Sequence, residues 1–263
     1  MTATDALFAG SIPALYDRLL GPLLFAPYAR DIAARVAALR PGRILETAAG
    51  TGVVTAALLE AAPESELVAT DLNQAMLDVA AARIASPQVA FQAADAQALP
   101  FADGSFDAVV CQFGVMFFPD RIAAYAEARR VLRPGGRFLF NAWDRLDRNP
   151  ASAAAAGAVA ALFPEDPPDF LARVPFGYHD VARIEADLRA AGFTDIAGAT
   201  AAMTSRVSAR DAAIGFCQGT PLRAEIEARD PVRLDEATAA AAAALAPFDG
   251  TDAAMSALVF SAG

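Results

Sequence analysis

The chain is 263 residues long, enough for one large α/β domain with a substantial apolar core, and its 31 acidic against 21 basic side chains give a formal charge of −10. That balance argues against binding a nucleic-acid backbone, whose affinity comes from Lys and Arg replacing counterions at phosphates, although a local basic patch is compatible with it. No stretch reaches the roughly 20 uninterrupted apolar residues of a membrane-spanning helix, and Cys111, Cys217 and the single His179 cannot supply an ordinary four-ligand zinc site, so neither a metal nor a disulfide is expected.

Thr2, Thr4 and Asp5 open the chain without a basic segment leading into an apolar run, which predicts a soluble, cytoplasmic protein. Ile12, Leu15, Tyr16, Leu19, Leu20 and Leu23 recur at helical spacing, residues 29–39 form a second amphipathic helix, and Pro41-Gly42 stops it. Strand-like runs over 43–47, 67–70 and 89–92 then alternate with helical runs over 53–61 and 75–84, the rhythm of a parallel sheet with crossover helices. It continues with a strand over 108–113, a helix over 120–132, a turn at Pro134-Gly135-Gly136 and a strand over 137–143, making five parallel strands. Beyond Asn149 come an alanine-rich helix, a proline-rich loop over 164–175 and a helix over 180–191 ending at Gly192, a natural place for a lid. Residues 193–199 and 254–260 are candidate final strands, and 208–245 is helical by propensity with breaks at Pro221 and Pro231.

Ile44-Leu45-Glu46-Thr47-Ala48-Ala49-Gly50-Thr51-Gly52 is an apolar strand ending in an acid, then a loop of small residues, then a helix start. Glycines there let a ligand approach the backbone, and the helix N-terminus offers free N–H groups to a carboxylate; such loops also serve packing alone. Asp71 follows the apolar run Leu67-Val68-Ala69, where dinucleotide folds place an acid on ribose hydroxyls; the alternative is an Asp capping the helix that begins near Asn73. A third acid stands in Ala94-Asp95-Ala96, followed by Leu99-Pro100-Phe101 and by Gly104-Ser105-Phe106-Asp107-Ala108-Val109-Val110.

Together with Phe117-Phe118-Pro119-Asp120 and Val131-Leu132-Arg133-Pro134-Gly135-Gly136, these segments resemble the class I S-adenosylmethionine-dependent methyltransferases, in particular the small-molecule branch of quinone and menaquinone biosynthesis (methyltransferase type 11). The resemblance spans residues 11–143, with weaker support from Ala190-Ala191-Gly192-Phe193. It implies an α/β, Rossmann-like, seven-stranded, mostly parallel sheet whose last strand is antiparallel, with helices on both faces, N-terminal helices and a helical lid insertion. The implied division is an N-terminal helical cap over 1–40, a cofactor-binding core over 41–145, and lid and substrate-recognition helices with the last strands of the same core over 146–263.

By motif position, Glu46, Thr47, Ala48 and the Gly50 to Gly52 loop would hold the methionine part of S-adenosylmethionine, and of the product S-adenosylhomocysteine. Asp71 would hold the ribose, Leu72 and Met76 the adenine face, and Asp95 the adenine amino group, with Ala96 donating from its backbone; Gln112 and Phe113 would close over the cofactor. Tyr16, in Ser11-Ile12-Pro13-Ala14-Leu15-Tyr16-Asp17, resembles the tyrosine that covers the methyl-donor side. Ala48 departs from the pattern, since family loops commonly carry glycine there and a methyl group restricts the backbone and crowds the cofactor.

The reaction this implies is in-line displacement of the methyl group onto a small-molecule acceptor. Tyr16 could favour the sulfonium by cation–π attraction or simply pack in the core. His179, in Phe176-Gly177-Tyr178-His179-Asp180, could deprotonate an acceptor or stand solvated; neither residue is identified as a catalyst by its surroundings in the sequence. Met116, Phe117, Tyr178 and His179 are candidates to line the acceptor pocket, with core packing as the alternative for the first two, and Cys111 reads as a small buried residue. Competing readings are a nicotinamide-dependent oxidoreductase, against which the third glycine of G-x-G-x-x-G falls on Thr55, and a non-catalytic, cofactor-binding member of the fold.

Overall fold

The computed structural model describes residues 12–263. Thr2, Thr4, Asp5 and Ser11, used above, lie outside them. The described chain opens with α1 (Ile12–Leu15), a π-helical stretch Tyr16–Phe25 and α2 (Ala26–Ala38), one continuous helical run in place of two separate helices. The π register is built around Gly21 and Pro22: proline has no N–H to give the usual ladder, and Ala26 N–H bonds to Gly21 C=O, one residue further back than in an α-helix.

The alternating segment is β1 (Arg43–Glu46), α3 (Val53–Ala61), β2 (Glu66–Asp71), α4 (Gln74–Arg83), β3 (Val89–Ala93), β4 (Phe106–Gln112), α5 (Arg121–Val131) and β5 (Leu132–Trp143). Then follow α6 (Pro150–Ala161), α7 (Phe170–Arg173), α8 (Val181–Ala190), β6 (Ile196–Arg206), α9 (Ala209–Gln218), α10 (Leu222–Arg229), α11 (Leu234–Leu245) and β7 (Asp252–Ala262). The seven strands form one mixed, mostly parallel sheet in the order β3-β2-β1-β4-β5-β7-β6, with β1 to β5 joined in parallel. The runs Ile44-Leu45, Leu67-Val68-Ala69 and Ala108-Val109-Val110 are buried because helices cover a parallel sheet on both faces. Ile32 and Val36 of α2 and Val54 and Leu58 of α3 pack with Ile44, Leu67, Val110 and Leu139 in one core cluster. Strand order reverses between β1 and β4, which opens a crevice at the carboxyl ends of those strands.

Two expectations are corrected. Pro134-Gly135-Gly136 is not a turn before β5 but a bulge inside it: Phe106 pairs with Leu132 and Ala108 with Arg137, so the extra residues loop out, with Gly135 at φ +84°. β6 begins and ends later than 193–199; its alanines, threonines and serine give little hydrophobic pattern, and it lies at the sheet edge, where burial demands least of a sequence. A Cβ at Gly198 of β6 would lie 2.7 Å from the Phe260 ring, so only glycine suits that position. The proline-rich segment contains α7, with Phe170 and Leu171 buried, and Pro221 and Pro231 interrupt the last helices as expected.

The chain divides into two compact units. One takes in residues up to Pro27, Trp143–Gly177 and Ala202–Ser256, and in it α11 packs on α9 and α6. The other takes in Tyr28–Ala142, Tyr178–Ala201 and Ala257–Gly263, and holds the carboxyl ends of β1 to β4. Among the described residues no helix is long and apolar enough to cross a membrane. Both cysteines are buried, Cys111 in β4 and Cys217 in α9, and burial pushes their thiols up to about 12 and about 11.

Candidate functional site

Glu46 ends β1 and is 1% exposed. Its Oε2 accepts a 2.7 Å hydrogen bond from the hydroxyl of Thr55, a residue of α3 that is itself fully buried. Burial pushes the Glu46 carboxyl up to about 8; the Thr55 bond works against that rise and the nearby charge of Asp71 adds to it. Thr47 is buried and its N–H donates to Val110 C=O at 2.9 Å, which ties the loop to β4. Ala48 (φ +52°), Gly50 (φ +57°) and Gly52 (φ +80°) then turn the backbone sharply into α3. Only glycine adopts these angles without strain, so Ala48 holds its conformation at a cost of about 1 to 2 kcal/mol.

Asp71 ends β2. Its Oδ2 accepts from Gly50 N–H at 2.9 Å and its Oδ1 from Asn73 N–H at 2.8 Å, while burial raises its pKa and those backbone donors lower it. Asp71 is therefore joined to the glycine loop. The cap of α4 falls to Asn73, whose side chain accepts from Ala75 N–H at 3.0 Å, and this displaces the capping alternative for Asp71. Beside it Leu72 is 71% exposed, a bare apolar side chain at the strand tip, and Met76 is buried with its Cε 3.6 Å from where a Cβ on Gly50 would stand. Asp95 and Ala96 lie in the loop after β3, both half-buried.

At the tip of β4, Gln112 is half-buried and Phe113 is buried at φ +50°. Asn141 of β5, 1% exposed, steadies that turn: its Oδ1 accepts from Phe113 N–H at 2.9 Å. The ring of Phe113 meets Tyr28 edge-on at 5.3 Å. Gly114 follows, and a Cβ there would lie 2.5 Å from the Ala48 methyl and 2.7 Å from the Cys111 sulfur. The chain thus accommodates its unusual Ala48 by keeping position 114 bare. Gly114→Ala is expected to lose about 1 to 3 kcal/mol of stability by overpacking. Adding Ala48→Gly should recover a large part of that loss, and denaturant unfolding of the two single variants and the double variant measures the coupling. Simple additivity would show that the two positions do not compete for space.

Met116 is buried and Phe117 half-buried in a 3₁₀ turn, Val115–Phe117. Arg121 donates to Val115 C=O at 3.2 Å and to Met116 C=O at 3.1 Å, and its guanidinium lies 4.2 Å above the Tyr178 ring. Tyr178 is 3% exposed; it donates to Asp187 at 2.8 Å and accepts from Tyr125 at 3.3 Å, so its hydroxyl is committed to a buried clasp. His179 is the half-buried neighbour of Asp180, which caps α8. Arg121 thereby joins Met116 and Tyr178, two of the four proposed pocket residues. Tyr16 belongs to the other unit, where it stacks on Phe25 with centroids 4.9 Å apart.

Asn141 was not singled out by the sequence, and Thr55 entered it only as the residue in place of a third glycine, because the partner of each is defined only by the fold. One more observation bears on the cofactor. The Thr51 hydroxyl, in the middle of the glycine loop, is buried and has no hydrogen-bond partner. A buried unsatisfied hydroxyl costs about 1 to 3 kcal/mol, and a polar ligand group laid against the loop would relieve it. The orphaned hydroxyl, the bare glycines, the exposed Leu72 and the acids at three strand ends fit a ligand with a polar amino-acid end and a nucleoside end.

Residues 45–140 match the family model described as Methyltransferase domain. The demethylmenaquinone methyltransferase of Deinococcus radiodurans is 37% identical over 165 residues, 61% of this chain and 66% of that one. The ubiquinone/menaquinone biosynthesis C-methyltransferase of Methylobacterium nodulans is 42% identical over 119 residues, 44% of this chain and 47% of that one. The chain therefore spans about half to two thirds of the length of these curated relatives. The crystal structure of the YcgJ protein of Bacillus subtilis shares the fold, with a TM-score of 0.57 and 18% identity over 90% of this chain and 97% of that one. Residues 45–140 are a methyltransferase domain, and they place the chain among the class I S-adenosylmethionine-dependent methyltransferases, where it resembles those of quinone biosynthesis.

Proposed function

We propose that this chain transfers the methyl group of S-adenosylmethionine to a small-molecule acceptor. The observation that carries the reading is the placing of Glu46, Asp71 and Asp95 at or just beyond the ends of β1, β2 and β3, with Asp71 bonded to the glycine loop. The cofactor supplies a sulfonium whose methyl group is already electrophilic, so the protein's work is to align an acceptor and exclude water. Glu46, Thr47, Ala48, Gly50 and Gly52 hold the amino-acid end, and Asp71 accepts from the ribose. Leu72 and Met76 cover the adenine, Asp95 and Ala96 meet its edge, and Gln112 and Phe113 close the β4 side. Met116, Phe117, Tyr178 and His179 wall the acceptor, and His179 is the candidate to take its proton.

Calorimetry should show saturable one-to-one binding of S-adenosylhomocysteine, with a rise in unfolding temperature by mass action. Demethylmenaquinone, for which the Deinococcus relative is named, is the first acceptor to supply in a methyl-transfer assay, followed by phenols and amines. Binding of a nicotinamide cofactor in preference to S-adenosylhomocysteine would replace this reading by the oxidoreductase one. Thr55 weighs against that outcome, because its hydroxyl, bonded to Glu46, stands where the dinucleotide pattern wants its third glycine. Saturable binding with no transfer to any acceptor would favour the non-catalytic reading.

A further inference from the structure

We propose that Gln97 is a positioning residue that sets the Asp95 carboxylate to read the amino group of adenine; this rests on the reading of Asp95 as the adenine contact. Asp95 Oδ1 accepts from Gln97 N–H at 2.9 Å and from Gln97 Nε2 at 3.2 Å, and Oδ2 accepts from Nε2 at 3.3 Å. Gln97 Oε1 in turn accepts from Asp120 N–H, the N-cap of α5, at 2.8 Å. A backbone N–H can only donate, so this contact requires the oxygen of the Gln97 amide to face α5 and its NH2 to face Asp95. Gln97 thus joins the acid to the start of a helix through a single, oriented amide.

A carboxylate offers about four acceptor positions, and three are taken here, two on Oδ1 and one on Oδ2. What is left is one acceptor position on Oδ2, suited to a single N–H such as that of the 6-amino group. The loop does not depend on Gln97 for its path. Glu127 accepts from Leu99 N–H at 2.8 Å, and Arg130 donates to Leu99 C=O at 2.9 Å, to Phe101 C=O at 2.7 Å and to Asp103 at 2.7 Å. A change at Gln97 therefore alters the aim of Asp95 while the Glu127–Arg130 pair keeps the backbone in place.

The test is calorimetric titration of the full chain with S-adenosylhomocysteine and with its 6-deamino analogue, which carries unsubstituted purine. The starting protein is expected to prefer adenine by about tenfold to a hundredfold, the range for one hydrogen bond to a charged group. Gln97→Met removes all three side-chain bonds, and Gln97→Glu keeps the acceptor for Asp120 N–H but replaces the donor by a second negative charge. In both, the preference should fall to within about threefold, with affinity for the deamino analogue little changed. A preference kept in both variants would overturn the proposal and leave the Asp95 reading standing. A starting protein that binds both ligands equally would instead remove Asp95 from the adenine edge, and the proposal with it.

Discussion

Between about pH 4.5 and about pH 8 the protein is expected to lose stability relative to its Glu46→Gln variant. The Glu46 carboxyl is buried on formation of the fold and holds its proton up to about 8, whereas in the unfolded chain it releases it near 4.5. Within that window the folded state binds more protons than the unfolded one, so stability falls as pH rises, and the contribution is complete only below the lower value. At about 1.4 kcal/mol per unit, the difference across the window is on the order of 5 kcal/mol. The glutamine cannot ionise, and its oxygen still accepts from Thr55, so its stability should lack this slope. Denaturant unfolding of both proteins at a series of pH values measures the difference, and a constant gap between the curves would mean that Glu46 is ionised in its buried place.

The second large effect is expected at Asp71. Asp71→Ala deletes the acceptor proposed for the ribose hydroxyls and also releases Gly50 N–H and Asn73 N–H, so it disturbs the glycine loop as well as the proposed ligand contact. One hydrogen bond to a charged group contributes roughly 1.5 to 3 kcal/mol, which sets the loss of S-adenosylhomocysteine affinity at about tenfold to a hundredfold. Stability should fall by a similar energy, because both backbone donors lose their partner. Asp71→Asn should lie between, since one amide oxygen cannot replace two carboxylate oxygens. Asn73→Ala supplies the contrast: it removes the cap of α4 at about 1 kcal/mol of stability and should leave affinity nearly unchanged. Unchanged affinity in Asp71→Ala would exclude the residue from the ribose site.

The core of the sheet was legible because its signals are local. Ile44-Leu45, Leu67-Val68-Ala69 and Ala108-Val109-Val110 are apolar runs bounded by turn residues, and residues 53–61 begin and end in the structure where periodicity places them. Glu46 and Asp71 stood out for the same reason, each closing such a run, whereas Asp95 was singled out in Ala94-Asp95-Ala96 by the family resemblance. What escaped depends on partners remote in sequence. Gly135 looks like a turn until Phe106 and Ala108 are seen to pair on either side of the bulge. Asn141 is one polar residue in an apolar strand until Phe113, 28 positions earlier, is found to need its oxygen. The bounds of β6 escaped because an edge strand of small residues carries almost no alternation, and the π-helical turn because proline inside a helix ordinarily signals a break.

The state of the two cysteines has a practical consequence for spectroscopy. With Cys111 and Cys217 both enclosed and both thiols held far from ionisation at neutral pH, the native chain is its own unreactive background for maleimide or spin-label chemistry. A single Pro134→Cys substitution would place the reporter on the exposed bulge at the amino end of β5, the end of the sheet away from the acids. Probe mobility could then be followed during ligand titration without first removing Cys111 from its place between Ala108-Val109-Val110 and the β4 tip.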